Sequence, residues 1–199
     1  MEIRYRDIVL RDMIESDIDD WIRWYNEETE WGDWDAPDEP MKPVDPDEFR
    51  AEMSEILSKP REGFRNFFEL DTADGHHIGA VSSYAVGPDF RWMSWQDAHN
   101  IGNFRHTIGI DICDNRFWGK GLGTQAIAAF AKHFRDSGID VICLQTWSGN
   151  LRMIRCAEKI GFVECNRFVG KLHIRGGIYD SLTFQLDLDR FYNFLKQNT

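Results

Sequence analysis

The sequence predicts an α/β (α+β) fold built as one domain over residues 1–199. Three observations carry that expectation. Stretches that alternate apolar and polar residues are interleaved with stretches whose apolar residues recur at helical spacing, giving about six to seven strands. Residues 107–113, Thr-Ile-Gly-Ile-Asp-Ile-Cys, alternate and are β-branched, and a glycine-rich turn joins them to a helix over 124–137. With 199 residues, 42% hydrophobic, the chain can bury a sizeable core, and its mean hydropathy of −0.48 fits a soluble globular protein.

Each element has a local reason. Residues 3–10 alternate through Ile3, Tyr5, Ile8 and Leu10 and read as one strand. Ser16 is placed to cap a helix, with Asp19 in capping-box position and an apolar face of Ile18, Trp21, Ile22 and Tyr25. Trp24 falls off that face. Residues 27–41 hold seven acids, two tryptophans and two prolines, and no basic residue. That composition predicts a loop. Two readings of it stand. Trp31, Asp33, Trp34 and Asp35 form a wall for an amine, through charge and cation–π contact, or the rings dock on the core and the acids face water.

Asp45-Pro46 starts a second helix with Phe49, Met53, Ile56 and Leu57 on one face, ending before Pro60. Residues 64–70 and 77–84 form a hairpin across Thr72-Ala-Asp-Gly75. Residues 87–103 are an aromatic insertion that lines an acceptor site, packs as a loop or makes a dimer contact. A strand over 140–147 precedes a helix capped by Asn150 and stopped at Gly161. Residues 162–173 and 179–188 pair around Arg175-Gly-Gly177, and residues 189–196 close the chain as a helix.

Gly119-Lys-Gly121-Leu-Gly123 stands where that helix begins. Alternate glycines let the backbone turn sharply, and a helix start offers unpaired N–H groups and a positive dipole end. The stretch therefore reads as a phosphate cradle. It lacks the Ser/Thr after Gly-Lys that a P-loop requires, and its spacing is Gly-x-Gly-x-Gly rather than Gly-x-Gly-x-x-Gly. Asp140 lies near the offset of a ribose-binding acid, so a dinucleotide reading stays open.

Trp118-Gly-Lys-Gly-Leu-Gly-Thr124 resembles the acetyl-CoA loop of the GNAT acetyltransferases, with Gly121 and Gly123 on the two glycine positions. Trp118 replaces their Gln/Arg, as in the ribosomal-protein acetyltransferase branch. Asn150-Leu-Arg-Met-Ile-Arg-Cys-Ala-Glu-Lys-Ile-Gly-Phe162 resembles the family's next helix. The resemblance implies a mixed central sheet with helices on both faces and splayed parallel strands at 107–113 and 140–147. It implies acetyl-CoA as acetyl donor, bound by Ile112, Cys113, Trp118, Gly119, Lys120, Gly121, Leu122, Gly123, Thr124 and Asn150. An oxyanion donor is implied among the N–H groups of residues 111–113.

Asp111 is placed as in the aminoglycoside 6′-N-acetyltransferases, where such a carboxylate acts on the amine; His106 lies near the strand position of a family glutamate. The tyrosine that many members carry seven residues after the asparagine is Ala157 here. Lys120, Arg152, Arg155 and Lys159 either approach the phosphates or form a solvated face.

A formal net charge of −11 argues against a nucleic-acid partner and for cationic ligands. No apolar run reaches membrane length, and the start carries no secretory segment. Cys113, Cys143, Cys156 and Cys165 show no metal-binding spacing and read as reduced thiols of a cytoplasmic protein. The expected function is acetyl transfer to a small cationic amine, aminoglycoside- or polyamine-like, without metal and with a homodimer possible. An acyl-CoA sensor, a protein N-terminal acetyltransferase and an unrelated nucleotide-binding domain are the competing readings.

Overall fold

The computed structural model describes residues 1–39 and 41–198; Pro40, within the acidic segment, lies outside them. The chain divides into two compact units, Met1–Val81 with Ile110–Ala126, and Ser82–Gly109 with Ile127–Thr199. Each is taken in turn.

In the first unit, β1 (Glu2–Tyr5) and β2 (Ile8–Arg11) form an antiparallel hairpin where one strand was expected. The turn is Arg6-Asp7, with Arg6 at φ 54°. Its register pairs Ile3 with Leu10 and Tyr5 with Ile8. Cross-strand partners share a face, so the alternation runs unbroken through a turn that no glycine or asparagine announces.

α1 (Asp17–Asn26) starts without the expected cap: Ser16 has helical angles and makes no capping bond. Asp17, buried, does the anchoring instead. It accepts the Ile14 N–H at 2.8 Å and two Arg11 N–H bonds at 2.6 and 2.8 Å. Trp24, expected off the apolar face, is fully buried. Its ring lies 4.8 Å from the His77 imidazole, so α1 is covered along a wider stripe than its periodicity suggests.

The acidic segment contains a short 3₁₀ turn, Thr29–Asp33. α2 (Pro46–Ser58) starts as expected, with Asp45 accepting the Asp47 and Glu48 N–H groups at 3.0 Å. Its apolar face is only partly covered: no α2 residue is buried, and Ile56 is 43% exposed. β3 (Phe67–Thr72) pairs antiparallel with β2. Beyond it come β4 (His77–Val86) and then β6 (Arg105–Ile112), giving the order β1-β2-β3-β4-β6.

In the second unit, the 87–103 insertion holds β5 (Trp92–Met93), paired with β4, and α3 (Trp95–Ile101), capped by Ser94. β7 (Ile142–Trp147) runs parallel to β6, registered only at His106↔Ile142 and Thr107↔Cys143. On its other side it pairs antiparallel with β9 (Gly177–Leu186), which pairs with β8 (Phe162–Ile174). The order is therefore β4-β6-β7-β9-β8. α4 (Leu122–Asp136), α5 (Leu151–Ile160) and α6 (Leu188–Gln197) complete the six α-helices among the described residues. The mixed sheet was expected. Its nine strands among the described residues exceed the expected number because of the β1–β2 turn and β5.

Candidate active site

The glycine loop leaves β6 through a 3₁₀ turn, Asn115–Phe117. The Trp118 indole donates to the Ile112 carbonyl at 2.7 Å and ties the loop to the strand end. Gly119 and Gly121 then turn at φ 73° and 81°, angles that strain any side chain. Nothing lies within 4 Å of a Cβ built on either. α4 begins at Leu122, so the N–H groups of its first turn have no carbonyl one turn back. Open space, backbone donors and a positive helix end suit a pyrophosphate.

Tyr25, Trp31, Gly32, Asp35, Ala36, Glu39 and Met41 line a pocket of about 230 Å³. Two carboxylates and two aromatic rings face it, and no basic side chain does. The Tyr25 ring packs against Trp21, Trp31 and Phe49 at 5.8, 5.7 and 5.8 Å. Burial first, then the fields of Asp111, Cys113, Asp35 and Glu69, push the Tyr25 hydroxyl up to about 12. Those four groups therefore lie close enough for their fields to reach the phenol.

Asp111, partly buried, is raised well above the usual carboxylate range, by desolvation first and the Asp35 charge second. Asp35 is itself raised by desolvation among the atoms around it, although the residue as a whole is exposed. Among the described residues no lysine, arginine or histidine pairs with either carboxylate. Two acids without a cation, beside aromatic faces, make a receptor for a ligand cation, whose charge would lower both.

Cys113 adds little reactivity. Burial, then Asp111, holds its thiol protonated far above the ordinary value. Its N–H donates to the Ile78 carbonyl at 2.8 Å, which removes it from the expected oxyanion donors.

A buried network adjoins the tryptophans. His77 Nδ1 lies 2.8 Å from Asp20 and 3.6 Å from Asp17, and Nε2 lies 3.0 Å from Glu69. Asp17, Glu69 and His77 offer ligand atoms within 4.8 Å of one another. Those atoms already serve His77, Trp21, Arg11 and Ile14, so the grouping reads as an ion-pair network rather than a metal centre.

The expected acceptor residues separate. Trp31 and Asp35 line the pocket; Asp33 and Trp34 do not. Trp31 belongs both to the core and to the pocket lining. It docks on the core, 7% exposed with its indole donating to the Trp24 carbonyl at 3.1 Å, and it walls the pocket.

In the second unit His106 packs between Trp95, Phe104 and Phe134 with ring centroids 5.1 to 5.3 Å away. Burial, then His99, lowers its pKa, making it a weaker base than expected of a catalytic histidine. Asn150 caps α5, accepting the Met153 N–H at 3.1 Å. Ala157 is fully buried and has no proton to give. Tyr25, Glu69 and His77 were not foreseen. A tyrosine on an apolar helix face looks like core, and two lone titratable residues in strands carry no spacing signal.

The acetyltransferase (GNAT) domain profile matches residues 7–163. The aminoglycoside N(6′)-acetyltransferase type 1 of Klebsiella pneumoniae is 30% identical over 161 residues, 78% of this chain and 73% of that one. The L-methionine sulfoximine/L-methionine sulfone acetyltransferase of Pseudomonas paraeruginosa is 30% identical over 126 residues, 62% and 72% of the two chains. A GNAT-family acetyltransferase from Bacillus anthracis superposes with a TM-score of 0.66 at 14% identity, over 94% of this chain and 98% of that one. A ribosomal alpha-N-protein acetyltransferase solved with coenzyme A gives 0.68 at 16% identity, over 93% and 97%. These two structures speak for the fold alone. Domain profile, relatives and strand order agree: the chain belongs to the GNAT family of N-acetyltransferases.

Proposed function

We propose that this acetyltransferase moves an acetyl group from acetyl-CoA to a primary amine on a small cation that carries no carboxylate. One observation carries the reading: the pocket presents Asp35 and Glu39 beside Tyr25 and Trp31, and no basic side chain. Such a lining attracts ammonium and repels a carboxylate. It favours an aminoglycoside- or polyamine-like acceptor over an amino-acid derivative of the kind named for the Pseudomonas relative. At about 230 Å³ it suits a small amine or one arm of a larger one.

Acetyl-CoA, when bound, supplies the activated acetyl group. The backbone N–H groups of Gly119, Lys120, Gly121, Leu122, Gly123 and Thr124 would hold its pyrophosphate, and Ile112 and Cys113 its thioester end; the expected Trp118 N–H drops out, because it is donated to the Asn115 carbonyl at 3.1 Å. Asn150 orders the start of α5. Asp111, rather than His106, takes the ammonium proton, because a carboxylate with a raised pKa stands closer to the amine in basicity. With the Cys113 N–H bound to Ile78, that group drops out of the expected oxyanion donors.

A thiol-release assay over aminoglycosides, polyamines, free amino acids and N-terminal peptides tests the acceptor class. Turnover is expected for cationic amines without a carboxylate, with a KM that rises with salt. Asp35→Asn should raise that KM by about tenfold and leave the acetyl-CoA KM alone. Turnover confined to carboxylate-bearing amines would overturn the reading. Gly121→Asp tests the cradle separately: backbone strain of about 1–2 kcal/mol and a charge facing phosphate should weaken acetyl-CoA binding about a hundredfold by calorimetry.

A further inference from the structure

We propose that His77 is a positioning residue for the acceptor pocket, a strut that ties Asp20 of α1 to Glu69 of β3 and so fixes the tryptophan floor beneath Tyr25 and Trp31. The proposal rests on the acceptor reading of that pocket.

With both facing carboxylates ionised, the geometry requires a doubly protonated ring. Nδ1 faces Asp20 at 2.8 Å and Nε2 faces Glu69 at 3.0 Å. A neutral imidazole has one N–H and can serve only one of these acceptors; the imidazolium serves both. His77 and Glu69 side chains are 7% and 0% exposed, so water does not stand in for a lost bond. Burial opposes the charge, but Glu69, Asp20 and Asp17 outweigh it and raise the imidazole above its ordinary value. The groups facing the ring are Asp17 and Asp20 of α1 and Glu69 of β3. Asp17 is balanced by Arg11 of β2, and Asp20 by Arg23 at 2.8 Å. The Trp24 ring covers the imidazole.

Glu69 passes the constraint on. Both of its oxygens lie 3.2 Å from the Trp21 indole nitrogen. The Trp21 ring touches Tyr25 at 5.8 Å and Trp31 at 6.1 Å, and those two rings wall the pocket. Each link is a buried or part-buried contact between side chains. When His77 loses its second proton, Glu69 or Asp20 loses a charged donor, and a Glu69 carboxylate left with the Trp21 indole alone is under-solvated in its buried site, which drives local rearrangement. The imidazolium's contribution to stability is complete below the ordinary imidazole value. It is lost as pH rises through the raised one.

Fluorine NMR of fluorotryptophan-labelled protein, with Trp21 and Trp31 assigned by Trp→Phe variants, follows the floor directly. The same pH series measures affinity for spermidine and kanamycin, as aliphatic polyamine and aminoglycoside probes, and for acetyl-CoA. The Trp21 and Trp31 signals should move with the His77 titration. Probe affinity should fall about tenfold across the same step while acetyl-CoA affinity stays flat. His77→Gln should abolish both steps. Linkage is reciprocal, so saturating probe should raise the His77 midpoint in the unmodified protein, a test that stands if the variant does not fold. Tryptophan signals that ignore the His77 titration overturn the strut itself. Signals that move while probe affinity does not, or while neither probe binds, overturn the acceptor assignment of the pocket and the proposal with it.

Discussion

Replacing Asp111 with Asn is expected to lower turnover of a cationic amine by about a hundredfold or more while making the folded chain more stable at neutral pH. The two effects have one cause. Asp111 is held among protein atoms beside Asp35 with no cation in contact, and its carboxyl is raised well above the ordinary value. The unfolded chain releases that proton at lower pH than the folded chain does. Between the two values the folded state binds more protons, so stability falls as pH rises from the ordinary carboxylate range through the raised one. Asparagine removes the charge and with it this slope. It also removes the group proposed to accept the ammonium proton, whereas the proposed cradle in the glycine loop is untouched. Denaturant melts of both proteins over a pH series, with kcat and both KM values at each pH, decide the matter. Lower turnover, unchanged acetyl-CoA KM and a flatter stability profile are expected. An Asn variant that turns over like the parent would remove Asp111 from the chemistry.

The second large effect is expected from Gly79→Ala. A Cβ at position 79 would stand 1.9 Å from the Asp111 carbonyl oxygen and 3.1 Å from the Cys113 nitrogen, both backbone atoms. Gly79 has φ 150°, outside what an alanine readily adopts. Here β4 and β6 approach more closely than a side chain permits. The Ile78 carbonyl accepts the Cys113 N–H at 2.8 Å and the Asp114 N–H at 3.3 Å. Alanine must push the strand end away, and that end carries Asp111 and starts the glycine loop. Destabilisation of about 4 kcal/mol or more is expected, the range reserved for strained or overpacked sites. Chemical denaturation or soluble yield measures it. Soluble Gly79→Ala with parental stability would mean that the close approach is not required.

Much of the local structure was legible because its causes lie within a few residues. Asp45-Pro46 starts α2, Asn150 and Gly161 bound α5, and alternate glycines turn the chain ahead of α4. The failures are equally local. Ser16 looked like a cap, but Asp17 holds the chain entry through Arg11, and that arginine reaches it from a neighbouring strand. The β1–β2 turn was hidden because paired residues share a face.

The candidate site was half legible for the same reason. The cradle is made of consecutive backbone groups, so its spacing shows in the chain. Asp111 was visible through resemblance, but its company was not. Composition and short-range spacing determined an α/β chain with a glycine turn suited to phosphate and an acidic, tryptophan-bearing loop, and resemblance to the family supplied the acetyltransferase reading. Only the tertiary structure decided that Tyr25, Trp31 and Asp35 face one pocket near Asp111. It alone set His77 between Asp20 and Glu69, and it left Asp33 and Trp34 out of the pocket lining. These contacts join residues far apart in the chain. Such contacts form when α1 and the acidic loop pack on the sheet to bury tryptophan surface, and no periodicity in the sequence records which polar groups that burial brings together.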